Sequence, residues 1–243
     1  MILNFESFSL TLSYHDVLNP AIWEDEKHIK KDVREALLKI ADAWQVFAKI
    51  PNSAVHDIIF TGGNANFNYT TFSDLDVHLI VDKEKISSDK DLLDDYFQDK
   101  KTLWALKHPN ISVKGYPVEL YAQGINDTIS KNAGVYSLKN NKWIKIPVHE
   151  DIKSFDSEPG LKAKVQNYMH MINKIIKSPG DHSTELDALK TKIHAMRGAA
   201  ISSGGEYSFE NLIFKELRNR GYIDKIKKYI TTSKDKMFTL EKD

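Results

Sequence analysis

The chain has 243 residues, of which 41% are apolar and 28% charged, and its 34 basic side chains balance its 34 acidic ones. That length buries a real core, as one large domain or two small ones, with the composition of an ordinary globular protein. The sequence contains no cysteine, which excludes disulfides, zinc–thiolate sites and thiol nucleophiles.

Residues 2–13 read as an extended segment, and Asn19-Pro20 as a turn into a helix. From Ile29 onward, Val33, Leu37, Ile40, Trp44 and Phe47 recur at steps of three and four. That is the period of an amphipathic helix packed on a sheet, and Pro51 ends it. Residues 55–60 read as the first central strand, Gly62-Gly63 as the turn after it, and 71–81 as the second strand. Ser87-Ser88 is expected to cap a charged helix reaching residue 106, with Leu92, Leu93, Tyr96, Phe97, Leu103 and Trp104 as its apolar side. Residues 111–113 and 117–122 read as two further strands. Residues 135–138 and 143–146 read as a hairpin around Lys139-Asn140-Asn141-Lys142. Beyond Ser157-Glu158-Pro159-Gly160 only helices are expected. The first covers 161–177. The second is capped by Ser183 or Thr184 and broken at 202–205. The third is capped by Ser208 and stopped by Gly221, and a short fourth covers 222–230 ahead of a charged tail.

Charge is unevenly spread along this order. Residues 1–159 hold 18 basic against 24 acidic side chains, and residues 160–243 hold 16 against 10. The C-terminal part is therefore the expected contact for phosphate or nucleic acid, with plain solvated helix faces as the competing explanation. No apolar run is long enough to span a bilayer. Residues 1–13 lack the basic start and long apolar stretch of a signal peptide. A cytoplasmic protein without a membrane partner is expected.

The stretch from Gly62-Gly63 to Ser73-Asp74-Leu75-Asp76-Val77-His78 carries the chemistry. Side chains two apart in a strand share a face, so Asp74 and Asp76 are expected side by side. Adjacent carboxylates repel unless a positive charge lies between them, and a hard divalent cation with oxygen ligands meets that need. Glu119, mid-strand between Val118 and Leu120, is the candidate third acid. Three carboxylates on neighbouring strands can hold two Mg²⁺ ions about 3.5–4 Å apart, clamping the attacking and leaving oxygens of a phosphoryl transfer. The glycine pair would let backbone N–H groups approach a phosphate. The competing reading ends a turn at Asp74, points Asp76 to solvent and places Glu119 on an edge strand.

Other motifs carry less. The Asp74-to-His78 run lacks the glycine and closing Glu of a calcium loop, and no Gly-Lys-Ser/Thr follows the glycines as a phosphate loop requires. His56-Asp57 reads as structural, and His78 as a satisfied histidine on the face of Asp76. In the helical half, Lys190, His194 and Arg197 fall at i, i+4 and i+7, as do Asn211, Lys215 and Arg218. Each set is expected on the face opposite its helix's apolar stripe. They are either solvated surface or contacts to a triphosphate or an acceptor backbone, with Arg suited to paired phosphate contacts. Tyr207 or Phe209 is the candidate for stacking on a base.

A strand, Gly-Gly, ten intervening residues, Asp-x-Asp and a later strand carboxylate together resemble the DNA polymerase β-like nucleotidyltransferase superfamily. The chain also resembles uncharacterised nucleotidyltransferase-like proteins of tailed phages. That likeness runs through Thr61-Gly62-Gly63-Asn64-Ala65-Asn66, Ser73-Asp74-Leu75-Asp76, Val118-Glu119-Leu120-Tyr121 and residues 210–218. The resemblance implies an α+β fold, with a nucleotidyltransferase-like mixed β-sheet and flanking helices in residues 1–157 and a helical substrate-binding subdomain in 158–243. It implies Gly62 and Gly63 at a phosphate turn, and Asp74, Asp76 and Glu119 as catalytic carboxylates and ligands of two Mg²⁺ (or Mn²⁺) ions. Glu119 would also help activate the acceptor hydroxyl. Asn66, Ser73, Arg197, Asn211, Lys215 and Arg218 complete the expected nucleotide contacts. Gly63 stands where many members carry Ser, so a hydroxyl that could contact the terminal phosphates is missing, and Thr61, Asn64 and Ser73 are the candidates to replace it. The implied reaction moves an NMP group from an NTP to an acceptor hydroxyl, releasing pyrophosphate, in the host cytoplasm if the protein is phage-encoded. RNA, a protein or a small molecule could accept; the basic C-terminal part is compatible with RNA, but no RNA-recognition motif or polybasic run identifies it. The alternative is a catalytically silent nucleotide- or RNA-binding module on the same fold.

Overall fold

A computed structural model of the chain describes residues 8–127, 133–152 and 154–240. Residues 2–7 of the expected extended segment, and the last three residues of the expected tail, lie outside that range. The chain forms two compact units, Tyr14–Asp151 and Ile152–Asp243 with Met1–Ser13. A mixed β-sheet with flanking helices makes up the first, and helices make up the second, so the fold class is α+β.

The first unit opens with helix α1 (Lys31–Phe47), whose Val33, Leu37, Ala41 and Trp44 are fully buried. Strand β1 (Val55–Thr61) and strand β2 (Leu75–Val81) pair antiparallel. Helix α2 (Lys90–Lys107) then crosses over, so that β4 (Tyr116–Gly124) lies parallel to β2. Parallel neighbours need such a crossover, because a tight turn can join only antiparallel ones. The short β3 (Ser112–Val113) and the hairpin of β5 (Val135–Ser137) with β6 (Lys142–Lys145) complete six strands, ordered β3-β4-β2-β1-β5-β6. The pattern of β2 shows why it is central. Leu75, Val77, Leu79 and Val81 are fully buried in one core with α1, Leu93, Phe97 and Leu120, while Asp76, His78 and Ile80 alternate with them, half-buried. Each such buried Val or Leu is worth about 1.5–3 kcal/mol relative to exposure.

Three local expectations change. The second strand begins at Leu75 rather than at residue 71. The Ser73 N–H donates to the Thr70 carbonyl at 3.1 Å and the Thr70 N–H donates to Ser73 Oγ at 2.9 Å. That turn spends the polar groups a strand would need for its ladder. Helix α2 is capped by Asp89, whose carboxylate accepts the Leu92 N–H at 3.0 Å, while Ser87 Oγ accepts from Asp89. Asp outcompetes the serines here because its carboxylate sits three residues before an orphan N–H. Its apolar side is also narrower than expected: Leu93 and Phe97 are buried, but Leu92 and Leu103 are exposed.

The second unit contains α3 (Leu161–Lys177), α4 (Ser183–Gly204), α5 (Phe209–Asn219) and α6 (Tyr222–Phe238). Ile172, Leu186, Ile226 and Ile230 form a core cluster among them. Ser183 is the first residue of α4, not its cap, and its N–H donates to Asp181 Oδ1 at 2.9 Å. Helix α4 runs through the expected break as far as Gly204, and α6 continues eight residues past Ile230 to Phe238. Ser208 precedes α5 but its hydroxyl donates to the Gly205 carbonyl at 2.8 Å instead of capping the helix. Residues 8–13 form no regular element, and Thr11 fastens them to α5. Its N–H and Oγ1 both donate to Glu216 Oε2, at 2.9 and 2.7 Å. Glu216 is fully buried, so these donors compensate a charge removed from water. Among the described residues no helix is long and apolar enough to cross a membrane.

Candidate active site

The site is built where β1 ends. The chain leaves Thr61, turns at Gly62 with φ +80° and passes into a short 3₁₀ turn over Gly63–Ala65. Thr61 pairs with Asp76 across the β1–β2 ladder, so the turn begins beside the Asp76 carboxylate. A Cβ at Gly62 would overlap Asp76 Oδ2. Glycine is therefore required here for its φ and for its missing side chain. A Cβ at Gly63 would lie 3.2 Å from Ser73 Oγ. The Ser73 hydroxyl thus borders the space a side chain at 63 would take.

Two buried asparagines hold this loop. Asn64 Nδ2 donates to the Asp74 carbonyl at 2.8 Å, and Asn64 Oδ1 accepts from Asn19 Nδ2 at 2.7 Å. Asn66 Nδ2 donates to the Gly62 carbonyl at 2.7 Å, and Asn66 Oδ1 accepts the Gly134 N–H at 2.9 Å. Thr61 Oγ1 donates to the Gly134 carbonyl at 2.8 Å. The amide of Asn66 and the hydroxyl of Ser73 are thus both used in shaping the loop.

The parallel β2–β4 ladder sets Asp76 opposite Glu119, His78 opposite Tyr121 and Ile80 opposite Gln123. Asp74 precedes β2 in the loop held by Asn64. Asp74, Asp76 and Glu119 are half-buried, and one oxygen from each lies within 4.8 Å of the others. Three carboxylate oxygens at that spacing are the hard, oxygen-only donor set that suits Mg²⁺, Mn²⁺ or a similar cation. The cluster can hold a divalent ion.

Two groups that sequence reasoning passed over touch the third acid. Lys101 Nζ is 3.0 Å from Glu119 Oε2, and the Tyr121 hydroxyl donates to the same oxygen at 2.6 Å. Lys101 Nζ also sits 3.5 Å from the centre of the Tyr121 ring. Tyr121 was findable, two residues from Glu119 on the same strand face. Lys101 lies one helical turn after the buried Phe97, a spacing that shares a face but gives no hint of the strand it meets. Burial, and next the negative charge of Glu119, push the Tyr121 hydroxyl far above its ordinary range, so it stays protonated and acts as a donor. Burial lowers the His78 imidazole, against a 2.7 Å hydrogen bond between its Nδ1 and Gln123 Oε1. His78 is thus a neutral, partnered histidine.

Of the predicted polar rows of the helical unit, the one on α5 is placed differently from the expectation, whereas His194 of the row on α4 is exposed as expected. Asn211 is fully buried, donating Nδ2 to the Glu206 carbonyl at 2.6 Å and accepting from Arg197 Nε at 3.1 Å. Lys215 Nζ pairs with Glu206 Oε2 at 2.8 Å, with both side chains about 85% covered. Asn211 and Lys215 therefore do not face away from the apolar stripe. In α5, where six of eleven residues are buried, the polar groups face inward and must find partners there. The Arg197 guanidinium lies 4.2 Å above the Phe214 ring, and Arg218 is half-buried on the same helix as Lys215. Lys190 pairs with Asp187 at 2.7 Å. Tyr207 stacks on Phe155, and Phe209 is half-buried.

No protein-family model matches the chain, and no curated protein sequence does. Among solved structures, it is similar to a STING-associated CdnE c-di-GMP synthase from Capnocytophaga granulosa. That likeness has a TM-score of 0.21 and 9% identity, over 84% of this chain and 81% of the other. It is similar also to a chain in a CdnC:HORMA-deltaN complex from E. coli MS115-1, with a TM-score of 0.25 and 13% identity, over 80% of this chain and 61% of the other. Likenesses this distant assign no function, and the chemistry of the site is read from its own residues.

Proposed function

We propose that this chain is a metal-dependent nucleotidyltransferase that moves an NMP group from an NTP to an acceptor hydroxyl and releases pyrophosphate. The observation that carries this reading is the convergence of Asp74, Asp76 and Glu119 oxygens beside a turn whose Gly62 leaves no room for a Cβ. In this reading Asp74, Asp76 and Glu119 are the ligands of two divalent ions, Mg²⁺ or Mn²⁺. When bound, such ions neutralise charge on the attacking and leaving oxygens of a phosphoryl transfer.

The chain's own residues supply position. The N–H groups around Gly62 and Gly63 are the proposed phosphate cradle. Asn66 shapes that cradle through the Gly62 carbonyl, and Ser73 borders it. Asn64 fixes the backbone of Asp74. Glu119 is the third ligand and assists the acceptor hydroxyl. In the helical unit, proposed to bind substrate, Arg197 and Arg218 would take phosphate oxygens. Asn211 would orient Arg197, and Lys215 would fix the Glu206 end of the same network. RNA is the proposed acceptor, because residues 160–243 carry the excess of positive charge.

The test is incubation with each α-labelled NTP, Mg²⁺ or Mn²⁺, and total RNA or protein. D76N is nearly isosteric but removes a ligand charge. It should lower labelling by roughly a thousandfold or more, on the scale of losing a central catalytic group, while circular dichroism stays native. Undiminished transfer by D76N would overturn the reading.

A further inference from the structure

We propose that Lys101 is a resident counter-cation of the carboxylate cluster, holding Glu119 until a divalent cation binds and opposing that binding with its own charge. The inference rests on the reading of Asp74, Asp76 and Glu119 as a cation site. It adds a residue outside that ligand set which tunes the site's affinity.

Three observations place Lys101 in this role. Its ammonium is 3.0 Å from Glu119 Oε2, and its side chain is 23% exposed, so the pair is partly screened from water. It is anchored at a second point, 3.5 Å from the centre of the Tyr121 ring, a cation–π contact that survives if Glu119 turns away. The same Glu119 oxygen accepts the Tyr121 hydroxyl at 2.6 Å, so the carboxylate retains a neutral donor when the ammonium is removed.

The electrostatics follow from distance. Three carboxylates within 4.8 Å of one another repel strongly. One ammonium on Glu119 offsets part of that repulsion and steadies the protein without metal. A divalent ion arriving at the same carboxylates meets a positive charge a few ångströms away, and repulsion at that range weakens its binding. Tyr121 orients Glu119 without charge, and Lys101 adds a positive charge to those the ion encounters.

Substitutions separate charge from orientation. K101M removes both charge and donor, K101Q keeps a donor without charge, and K101R keeps the charge. Mn²⁺ binding to the full chain is measured by titration calorimetry, and melting in EDTA and in saturating Mn²⁺ by circular dichroism. D76N serves as the control for the site itself. K101M and K101Q should both bind Mn²⁺ about tenfold more tightly than the unsubstituted chain. K101R should bind as the unsubstituted chain does. Both neutral variants should melt lower in EDTA and gain more from Mn²⁺, and folding only in Mn²⁺ is the extreme form of that result.

If K101M and K101Q bind Mn²⁺ equally or more weakly, while D76N abolishes binding, the role of Lys101 is overturned and the cation site stands. If the unsubstituted chain binds no Mn²⁺, the cation site is itself refuted, and this inference with it. Loss of folding by both neutral variants even in saturating Mn²⁺ would assign Lys101 to the scaffold and overturn the proposal.

Discussion

At the scale of single residues, Gly62 is the position with least latitude. Its φ of +80° suits glycine, and any Cβ would overlap the Asp76 carboxylate. G62A must therefore change the backbone, move Asp76, or both. It should cost about 1–3 kcal/mol, read as a lower urea midpoint at unchanged slope, and should also lower the proposed nucleotidyl transfer. Wild-type stability in G62A would mean that the turn is free to adopt another conformation. Asn64 and Asn66 show what single residues do for a loop. Each buries both ends of its amide against backbone or a second amide, so irregular chain between β1 and β2 keeps its polar groups paired.

At the scale of elements, α5 stands out because its interior is polar in part. Glu206 and Lys215 form a largely covered ion pair, tied through Asn211 to Arg197. The charge of Lys215 holds the Glu206 carboxyl below its ordinary value, with burial acting the other way. Folded Glu206 thus releases its proton more readily than unfolded Glu206. The pair's stabilisation is complete above the ordinary carboxyl value of 4.5 and is lost as pH falls through the depressed folded value. E206Q leaves Lys215 covered and unpaired, and should cost about 3 kcal/mol near neutral pH. It should also flatten the acid limb of stability against pH, which denaturant titration at a series of pH values would measure. A double change to well-packed apolar residues should recover much of the loss, because removing both partners leaves no uncompensated charge.

At the scale of the whole molecule, the split of charge bears on the acceptor. Residues 1–159 carry an excess of acid and residues 160–243 an excess of base. If RNA is the acceptor, those basic groups release counterions on binding. Its affinity should then fall by about tenfold or more between roughly 50 and 200 mM salt, for contacts to three or more phosphates of a single strand. Filter binding across that range is the measurement, and a flat profile would remove RNA from the proposal.

Much of the sheet unit was legible in the sequence, because its signals are local. The three- and four-residue steps of α1, the alternation Leu75, Val77, Leu79 with Asp76 and His78, and the glycines between β1 and β2 are each set within one short stretch. The pairing of Asp74 with Asp76 is only partly of the same kind, since Asp76 lies in β2 while Asp74 precedes the strand and its carbonyl accepts from Asn64. What local pattern leaves open is which strand lies next to which. Only the tertiary structure decided that β4 runs parallel to β2 with Glu119 opposite Asp76, since that register depends on the α2 crossover and on the packing beneath it. It also decided that Lys101 and Tyr121 converge on one oxygen of Glu119, from a helix and a strand about twenty residues apart in the chain. The same holds for Asn211 and Lys215. Helical spacing placed them on one face, but whether that face met water or protein was set by the neighbouring helices.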